Sequence, residues 1–149
     1  MLENFVPNNL FVLVDGKESI NQDKIPDQLQ PIIDLFIEDN NGEPLSLIKI
    51  HMGRLFLEGD DEQELMLRLN GQELIVARIA FRHLRQGYMK RLEQILLNIC
   101  KTLPGKKGIR IESVETEAMR QYCRKNNYTN PTYCEFDFFK EIPALSADS

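Results

Sequence analysis

The sequence predicts a single α+β domain, 1–149, in which an antiparallel meander of strands precedes a β-α-β-α-β segment. From Pro44 to Phe81 apolar residues recur with a period of two, which is typical of half-buried strands. The run 88–103 instead places apolar residues at helical spacings. Shorter strand-like and helix-like runs then alternate as far as Phe139, and a chain of this length suits one hydrophobic core.

The first third of the chain carries fewer signals. Residues 10–14 form a short β-branched and aromatic run that ends in an Asp-Gly turn, which predicts a strand. A helix is predicted to start near Pro31, because proline lacks an N–H and suits the first turn, and to end in the Asp-Asn-Asn-Gly run at 39–42. Residues 1–53 match no pattern that assigns them a role.

Four strand-like runs make up the meander, at 45–50, 54–57, 65–69 and 74–81, with an acidic turn at 58–62. Asn70-Gly71 separates the last two runs and is the strongest hairpin signal in the chain. Both residues accept the positive φ of a type I′ turn, whose twist matches that of the strands. We therefore predict a two-residue hairpin loop there.

A long amphipathic helix is predicted over 88–103, where Pro-Gly ends it. A strand at 109–114, a helix at 116–126 and a strand at 134–139 follow, and the tail 143–149 is predicted to be disordered. Two strands joined by a helix lie parallel, with a right-handed connection. The sheet is therefore predicted to be mixed.

Composition excludes several classes of function. The net charge of −5 disfavours binding to nucleic acid or to an anionic membrane surface. The three cysteines, Cys100, Cys123 and Cys134, are odd in number and form no CxxC pair, which suits a reducing compartment. The N-terminus has no signal-peptide pattern, so we expect a cytoplasmic protein. The two histidines, His51 and His83, lack metal-ligand spacing, so no metal site is expected.

The junction between the last meander strand and the long helix is the most informative segment. Gly87 removes the Cβ where the helix begins, so an anion could approach the free amides of the first turn, where the helix dipole is positive. Arg82, Arg85, Lys90 and Arg91 add cations within ten residues. The segment therefore suits a phosphate group. The alternative is a solvated basic turn whose glycine serves only packing.

Residues 64–141 resemble the acyl-CoA-binding core of the GNAT N-acetyltransferases in their order of elements: strand, basic turn, glycine, long helix, strand, short helix, Asn-aromatic pair and strand. The pyrophosphate loop of that family has Arg or Gln, two residues, Gly, one residue, then Gly or Ala. Its first position falls here on Leu84, its glycine on Gly87 and its last position on Met89. Only the glycine matches, and Arg85 and Gln86 supply polar character slightly late.

The resemblance implies a GNAT-like central mixed sheet and acetyl-CoA, or another acyl-CoA, as the cofactor. The residues that it assigns to cofactor binding surround the glycine: Phe81, Arg82, Arg85, Gln86, Gly87, Tyr88, Met89 and Lys90. Contact through backbone N–H groups survives a change of side chain, so a methionine in the last position is compatible with binding.

The late helix resembles the family's helix that carries a tyrosine, five residues before a final aromatic, as the general acid toward the CoA thiolate. The final aromatic is Tyr128 here, and Cys123 occupies the tyrosine position. Tyr122 lies one residue earlier and so points about 100° away. Glu115 stands where the family often has an asparagine that holds the cofactor. Tyr122 and Cys123 are therefore the candidates near the thiol.

An acceptor amine must lose a proton before it attacks a thioester, which calls for a general base. Glu73, at the start of the strand leading into the turn, is the first candidate, and Glu112, after the long helix, is the second. For each, a surface carboxylate is the alternative. The acidic turn 58–62 could attract a cationic acceptor or could be a solvated turn.

The function implied is an acetyl-CoA-dependent N-acetyltransferase that moves an acetyl group to an amine of a small molecule or peptide. The alternative is a catalytically inactive GNAT-like domain that senses acyl-CoA or serves as a protein-interaction module. Leu84, Met89 and Cys123 favour the alternative, whereas Gly87 and its neighbouring cations favour retained cofactor binding. The assembly stays open, with a homodimer as one alternative.

Overall fold

The computed structural model describes residues 9–13, 25–60, 62–103, 105–114, 116–130 and 136–142. Its helices, after a short 3-10 turn at Asp27–Leu29, are α1 (Gln30–Asp39), α2 (Tyr88–Thr102) and α3 (Glu117–Lys125). Its strands are β1 (Asn9–Leu13), β2 (Leu47–His51), β3 (Arg54–Glu58), β4 (Glu64–Arg68), β5 (Glu73–Ala80), β6 (Gly108–Ile111) and β7 (Phe138–Glu141). These elements confirm the predicted α+β class.

All seven strands form one sheet in the order β1 to β7. Neighbours run antiparallel except β5 and β6, which α2 connects and which therefore run parallel. The sheet is mixed, as predicted, and the order β5-α2-β6-α3-β7 is the one that the resemblance implied. None of the helices in the described ranges is long and apolar enough to cross a membrane.

One face of the sheet forms the core. Alternation along the strands places side chains such as Leu55, Leu65 and Val76 on this face, each at most 2% exposed. They join one cluster with Phe36 of α1 and Leu96 of α2. Each such side chain contributes about 1.5–3 kcal/mol when fully buried, so this face holds the helices against the sheet.

Several predicted boundaries move by a few residues. Pro31 lies in the first turn of α1, as predicted, and the cap of α3 is Thr116, whose hydroxyl accepts a hydrogen bond from the Met119 amide at 3.2 Å. The last strand was wrong in part, because Phe136 precedes it and it runs to Glu141. The start of that prediction, the predicted disordered tail and Val14 lie outside the described residues.

The predicted type I′ turn at Asn70-Gly71 was wrong, although the hairpin between β4 and β5 is present. Neither residue has a positive φ, and four residues join the strands. The ammonium group of Lys106 binds the carbonyl oxygens of Leu69 and Gly71, which favours the wider loop. The two-residue loop with positive φ lies instead between β2 and β3, at Met52 and Gly53 (51° and 74°).

β5 changes partners along its length. Its first half, Glu73–Val76, pairs with β6, and the Glu112 amide donates to the Val76 carbonyl oxygen at 2.9 Å. Within the described ranges that ladder ends there, while β5 continues for four more residues. Opposite β4, Ala77 is an extra residue, because Val76 pairs with Leu67 and Arg78 with Met66. This β-bulge resets the alternation, so that Ile79 and Phe81 pack against the core.

Candidate functional site

An aromatic stack joins the two ends of the turn between β5 and α2. The ring of Phe81, just after β5, stacks on Phe36 of α1 with centroids 5.0 Å apart and on Tyr88, the first residue of α2, at 5.6 Å. Such pairs add about 0.5–1.5 kcal/mol beyond the area that they bury. The two ends of the turn, here called the 82–87 turn, are thereby held together.

The carboxylate of Asp39 holds the first two residues of the 82–87 turn. It accepts hydrogen bonds from the backbone N–H groups of Arg82, at 2.7 Å, and His83, at 2.8 Å. The side chain of Gln63 donates a third, at 2.8 Å. Asp39 is 0% exposed, so these donors replace the water that a buried carboxylate loses.

The middle of the 82–87 turn stands away from the protein. Leu84 is 74% exposed, and Arg85 and Gln86 are exposed as well. Gly87 has a φ of 79°, and a Cβ added to it would meet no atom within 4 Å. The glycine therefore serves the left-handed backbone and leaves open space at the start of α2.

The amides of the first turn of α2 face that space uncapped. No described side chain caps the helix, and its first internal hydrogen bond runs from the Arg91 amide to the Gly87 carbonyl oxygen at 3.1 Å. The N–H groups of Tyr88, Met89 and Lys90 precede that bond and need an outside acceptor. A partial positive charge therefore meets solvent here, which suits an anion.

Most of the predicted cations are engaged with partners. Arg82 donates to the Asn40 side chain at 3.0 Å and lies 3.8 Å from Asp60. Arg91 binds Glu38 of α1 through both carboxylate oxygens, at 2.6 and 3.0 Å. Lys90 binds Asn126, which follows α3, at 2.7 Å and Glu93 of α2 at 3.4 Å. Arg85 is exposed and has no ion pair among the described residues. Fewer cations are therefore available to bind an anion at this turn than the sequence alone suggests.

Tyr122 and Cys123 point to different surroundings, as adjacent helical residues do. The Tyr122 hydroxyl donates to Glu93 at 2.7 Å and lies 3.5 Å from the Met89 carbonyl oxygen, close to the first turn of α2. Burial raises the pKa of Tyr122, and the hydrogen bond to Glu93 raises it further. Cys123 is 0% exposed, and burial raises its pKa to about 12, so its sulfur is a thiol inside the core.

Glu93 of α2 is buried, although a charged residue of an amphipathic helix is expected on its solvent-exposed face. Its side chain is 1% exposed and accepts hydrogen bonds from Tyr122, from Tyr128 at 3.1 Å and from Lys140 at 2.8 Å. Burial alone raises the pKa of Glu93, but the hydrogen bonds from Lys140 and Tyr122 and the nearby lysine charges outweigh it, so the pKa is lowered. No local sequence signal marks this contact, because Lys140 lies 47 positions away.

The predicted bases occupy different ends of the sheet. Glu73 begins β5 and binds Arg110 of β6 at 2.8 and 3.1 Å. Ala80 lies seven positions further along β5, about 23 Å, so the structure does not bring Glu73 to the 82–87 turn. Glu112 lies just where β5 and β6 part, and it is paired with Arg68. Glu115 lies outside the described residues.

A shallow groove of about 420 Å³ runs between α1 and α2. Its lining is mostly polar and comprises Pro31, Asp34, Leu35, Glu38, Arg91, Gln94, Ile95 and Asn98. The open space at Gly87 is not part of it. In the described ranges no three or more His, Cys, Asp or Glu side chains are grouped to hold a metal ion.

No protein-family model matches this sequence, and no curated protein matches it either. One solved structure that resembles this chain is that of a mutant of the toxin AtaT bound to the C-terminus of the antitoxin AtaR. The similarity covers 91% of this chain and 94% of that chain, with a TM-score of 0.40 and 9% sequence identity. Similarity at that level carries no conclusion about function, which therefore rests on the site.

The lowered pKa of Glu93 predicts a pH-dependent stability. Its ordinary value is 4.5, so the carboxylate stabilises the fold fully above that pH, and the stabilisation is lost as the pH falls through the lower folded value. We expect Glu93→Gln to reduce the free energy of unfolding by about 1–3 kcal/mol at neutral pH, and by progressively less toward about pH 3.

Urea unfolding of wild type and variant over this pH range measures the effect. Glu117→Gln is the matched control, because Glu117 is exposed and 3.6 Å from Arg124, and it should change stability little at any pH. A Glu93→Gln effect that stays constant down to about pH 3 would contradict the assigned pKa shift.

Proposed function

We propose that the protein is an acetyl-CoA-dependent N-acetyltransferase that moves an acetyl group to an amine of a small molecule or peptide. The observation that carries the proposal is the open, uncapped start of α2 at Gly87, which follows the four residues by which β5 extends past its pairing with β6. The helix start offers room for a diphosphate, and we place the arm attached to it in a gap between β5 and β6 beyond Val76.

The diphosphate of the cofactor binds the amides of Tyr88, Met89 and Lys90 in this proposal. The dipole of α2 contributes about half a positive charge at the same point. Arg85 and Gln86 are exposed beside it and supply side-chain donors. The side chains of Phe81, Arg82 and Tyr88 serve the turn itself, since each already contacts α1 or the residues that follow it.

The thioester lies in the gap beyond Val76. The bulge at Ala77 interrupts the regular ladder, so a backbone N–H of this segment is the candidate to polarise the thioester oxygen. The neutral amine attacks the carbonyl carbon, the C–S bond breaks, and the thiolate takes a proton. Of the two candidate bases, Glu73 and Glu112, Glu112 lies nearer to this gap. It accepts the proton of the amine, directly or through water, after its carboxylate has separated from Arg68. Tyr122 is the candidate proton donor.

A second candidate is a domain that binds acyl-CoA without transferring the acyl group. It is favoured by the engagement of Tyr122 with Glu93 and by the burial of Cys123, the residue in the position of the family's tyrosine. In that case the protein senses the cofactor or presents the bound form to another protein. Both candidates require the same start of α2.

Cofactor binding is tested by Gly87→Glu, which places a carboxylate in the open space that the diphosphate would occupy. We expect isothermal calorimetry to show acetyl-CoA binding by wild type and at least about 100-fold weaker binding by the variant, because like charges repel and the site is filled.

Gly105→Glu is the matched control for this change. Gly105 has a φ of 84° and is exposed beyond the C-terminal end of α2, so the substitution carries the same backbone strain at the end of the helix opposite to Gly87. It should bind acetyl-CoA as wild type does. Equal binding by Gly87→Glu, or no binding by wild type, would remove both candidate functions.

Transfer is tested by the release of free thiol from acetyl-CoA in the presence of a panel of amines. If Tyr122 donates the proton, Tyr122→Phe should lower the rate about 100-fold or more while acetyl-CoA affinity stays unchanged. Tyr128→Phe removes a similar hydrogen bond to Glu93 and is the control, with a rate near that of wild type.

The two candidates differ in this assay. Cofactor binding without thiol release for any amine would favour the acyl-CoA sensor over the enzyme. Steady release that Tyr122→Phe leaves unchanged would retain the enzyme and remove Tyr122 from the reaction.

A further inference from the structure

Asp39 is an unusual residue to find completely buried. Its carboxylate takes part in no ion pair among the described residues, and its partners are N–H groups of Arg82, His83 and Gln63. An unpaired buried charge is costly unless hydrogen bonds replace its hydration. Two of these three donors are consecutive backbone amides of the same turn, so this turn supplies most of the hydrogen bonds that replace the hydration of Asp39.

We propose that Asp39 is the positioning residue of the 82–87 turn, and that through this turn it sets the affinity for the cofactor. The inference rests on the proposed function for its ligand, whereas the control of the turn's shape by Asp39 stands on contacts alone. Asp39 itself is fully buried and touches no ligand. It acts through Arg82 and His83, whose amides it orients.

The geometry shows how a carboxylate at the end of α1 directs the start of α2. Two adjacent amides that share one carboxylate fix the direction of the chain as it leaves Phe81. The stack of Phe81 on Tyr88 fixes the other end. Only residues 84–87 remain to span the interval, and they do so with positive φ at Arg85 and Gly87. Among the described residues, this turn supplies no acceptor to the first amides of α2.

Gln63 supports the orientation of Asp39. Its amide nitrogen donates to the Phe36 carbonyl oxygen at 2.7 Å as well as to Asp39. Its amide oxygen lies over Gly59, where an added Cβ would come within 1.8 Å of it. The reverse orientation of the amide would set its oxygen against two acceptors, so the nitrogen faces Asp39. Asp39 is thus held from one side by Gln63 and holds the turn on the other.

The test replaces Asp39 by asparagine, which keeps the size of the side chain and exchanges one acceptor oxygen for a donor NH₂. One of the two turn amides then loses its acceptor and is displaced. We expect acetyl-CoA to bind about tenfold or more weakly, measured by calorimetry, because a hydrogen bond to a charged group is worth at least that factor. Asp34→Asn makes the same change at an exposed position of α1 and should leave affinity unchanged.

A readout without ligand separates positioning from general loss of structure. In ¹H–¹⁵N spectra of the free protein, the amides of Arg82 and His83 should resonate downfield and exchange slowly in wild type. In Asp39→Asn the change should be confined to the 82–87 turn and the start of α2, with core amides unaltered. Changes spread over the core, or wild-type affinity in the variant, would overturn the proposal.

The outcomes also distinguish failure of cofactor binding from failure of Asp39 to shape the turn. If wild type binds no acetyl-CoA, the proposed function fails and with it the effect of Asp39 on affinity, while the amide signals still decide whether Asp39 shapes the turn. Fast exchange of the Arg82 and His83 amides in wild type, which needs no variant to fold, would overturn that part as well.

Discussion

The carboxylate of Asp39, bound to two consecutive amides of the 82–87 turn, is the contact on which the candidate site depends. A helix start usually receives a cap from the chain that precedes it, because its first amides have no partner within the helix. Here the preceding chain is held by α1 and by the stack of Phe81 on Tyr88 instead. The amides at the start of α2 therefore remain available to an anion from outside.

Contacts with the end of α1 also explain why the basic residues of the turn contribute less to anion binding than their number suggests. Arg82 and Arg91 bind Asn40 and Glu38 at the end of α1, and so they fasten the turn and α2 to that helix. An ion pair at the surface is worth about 1 kcal/mol or less, so these contacts orient more than they stabilise. Anion binding then depends mainly on backbone N–H groups and Arg85.

A second buried carboxylate, Glu93, organises the other side of α2. It gathers Tyr122 of α3, Tyr128 after that helix and Lys140 of β7 around one point. The loss of hydration is offset because each oxygen of the carboxylate has a hydrogen-bond donor. This arrangement fixes α3 close to the first turn of α2. The Tyr122 hydroxyl would have to break its hydrogen bond to Glu93 before it could donate a proton to a thiolate.

Local patterns in the sequence predicted most of the fold. The period-two runs and Pro31 in the first turn of α1 follow from backbone chemistry that neighbouring residues determine. Contacts between distant residues were not predictable in this way. The Asn70-Gly71 loop is widened by Lys106, and Glu93 is buried because Lys140 and Tyr128 meet it.

In the candidate site, too, local features were predictable from the sequence, whereas contacts between distant residues were not. Gly87 was found from the sequence, because its missing Cβ and its place at a strand-to-helix junction are local features. Asp39 was not found, since its role exists only once α1 lies beside the 82–87 turn, 43 residues later in the chain. The bulge at Ala77 likewise depends on the register between β4 and β5.

The most direct test of cofactor binding at the start of α2 is a titration of the ¹⁵N-labelled protein with acetyl-CoA, followed through its backbone amide signals. We expect the amides of Gly87, Tyr88, Met89 and Lys90 to shift first and most, and those beyond Val76 on β5 to follow. Shifts confined to the groove between α1 and α2, with the start of α2 unmoved, would contradict it.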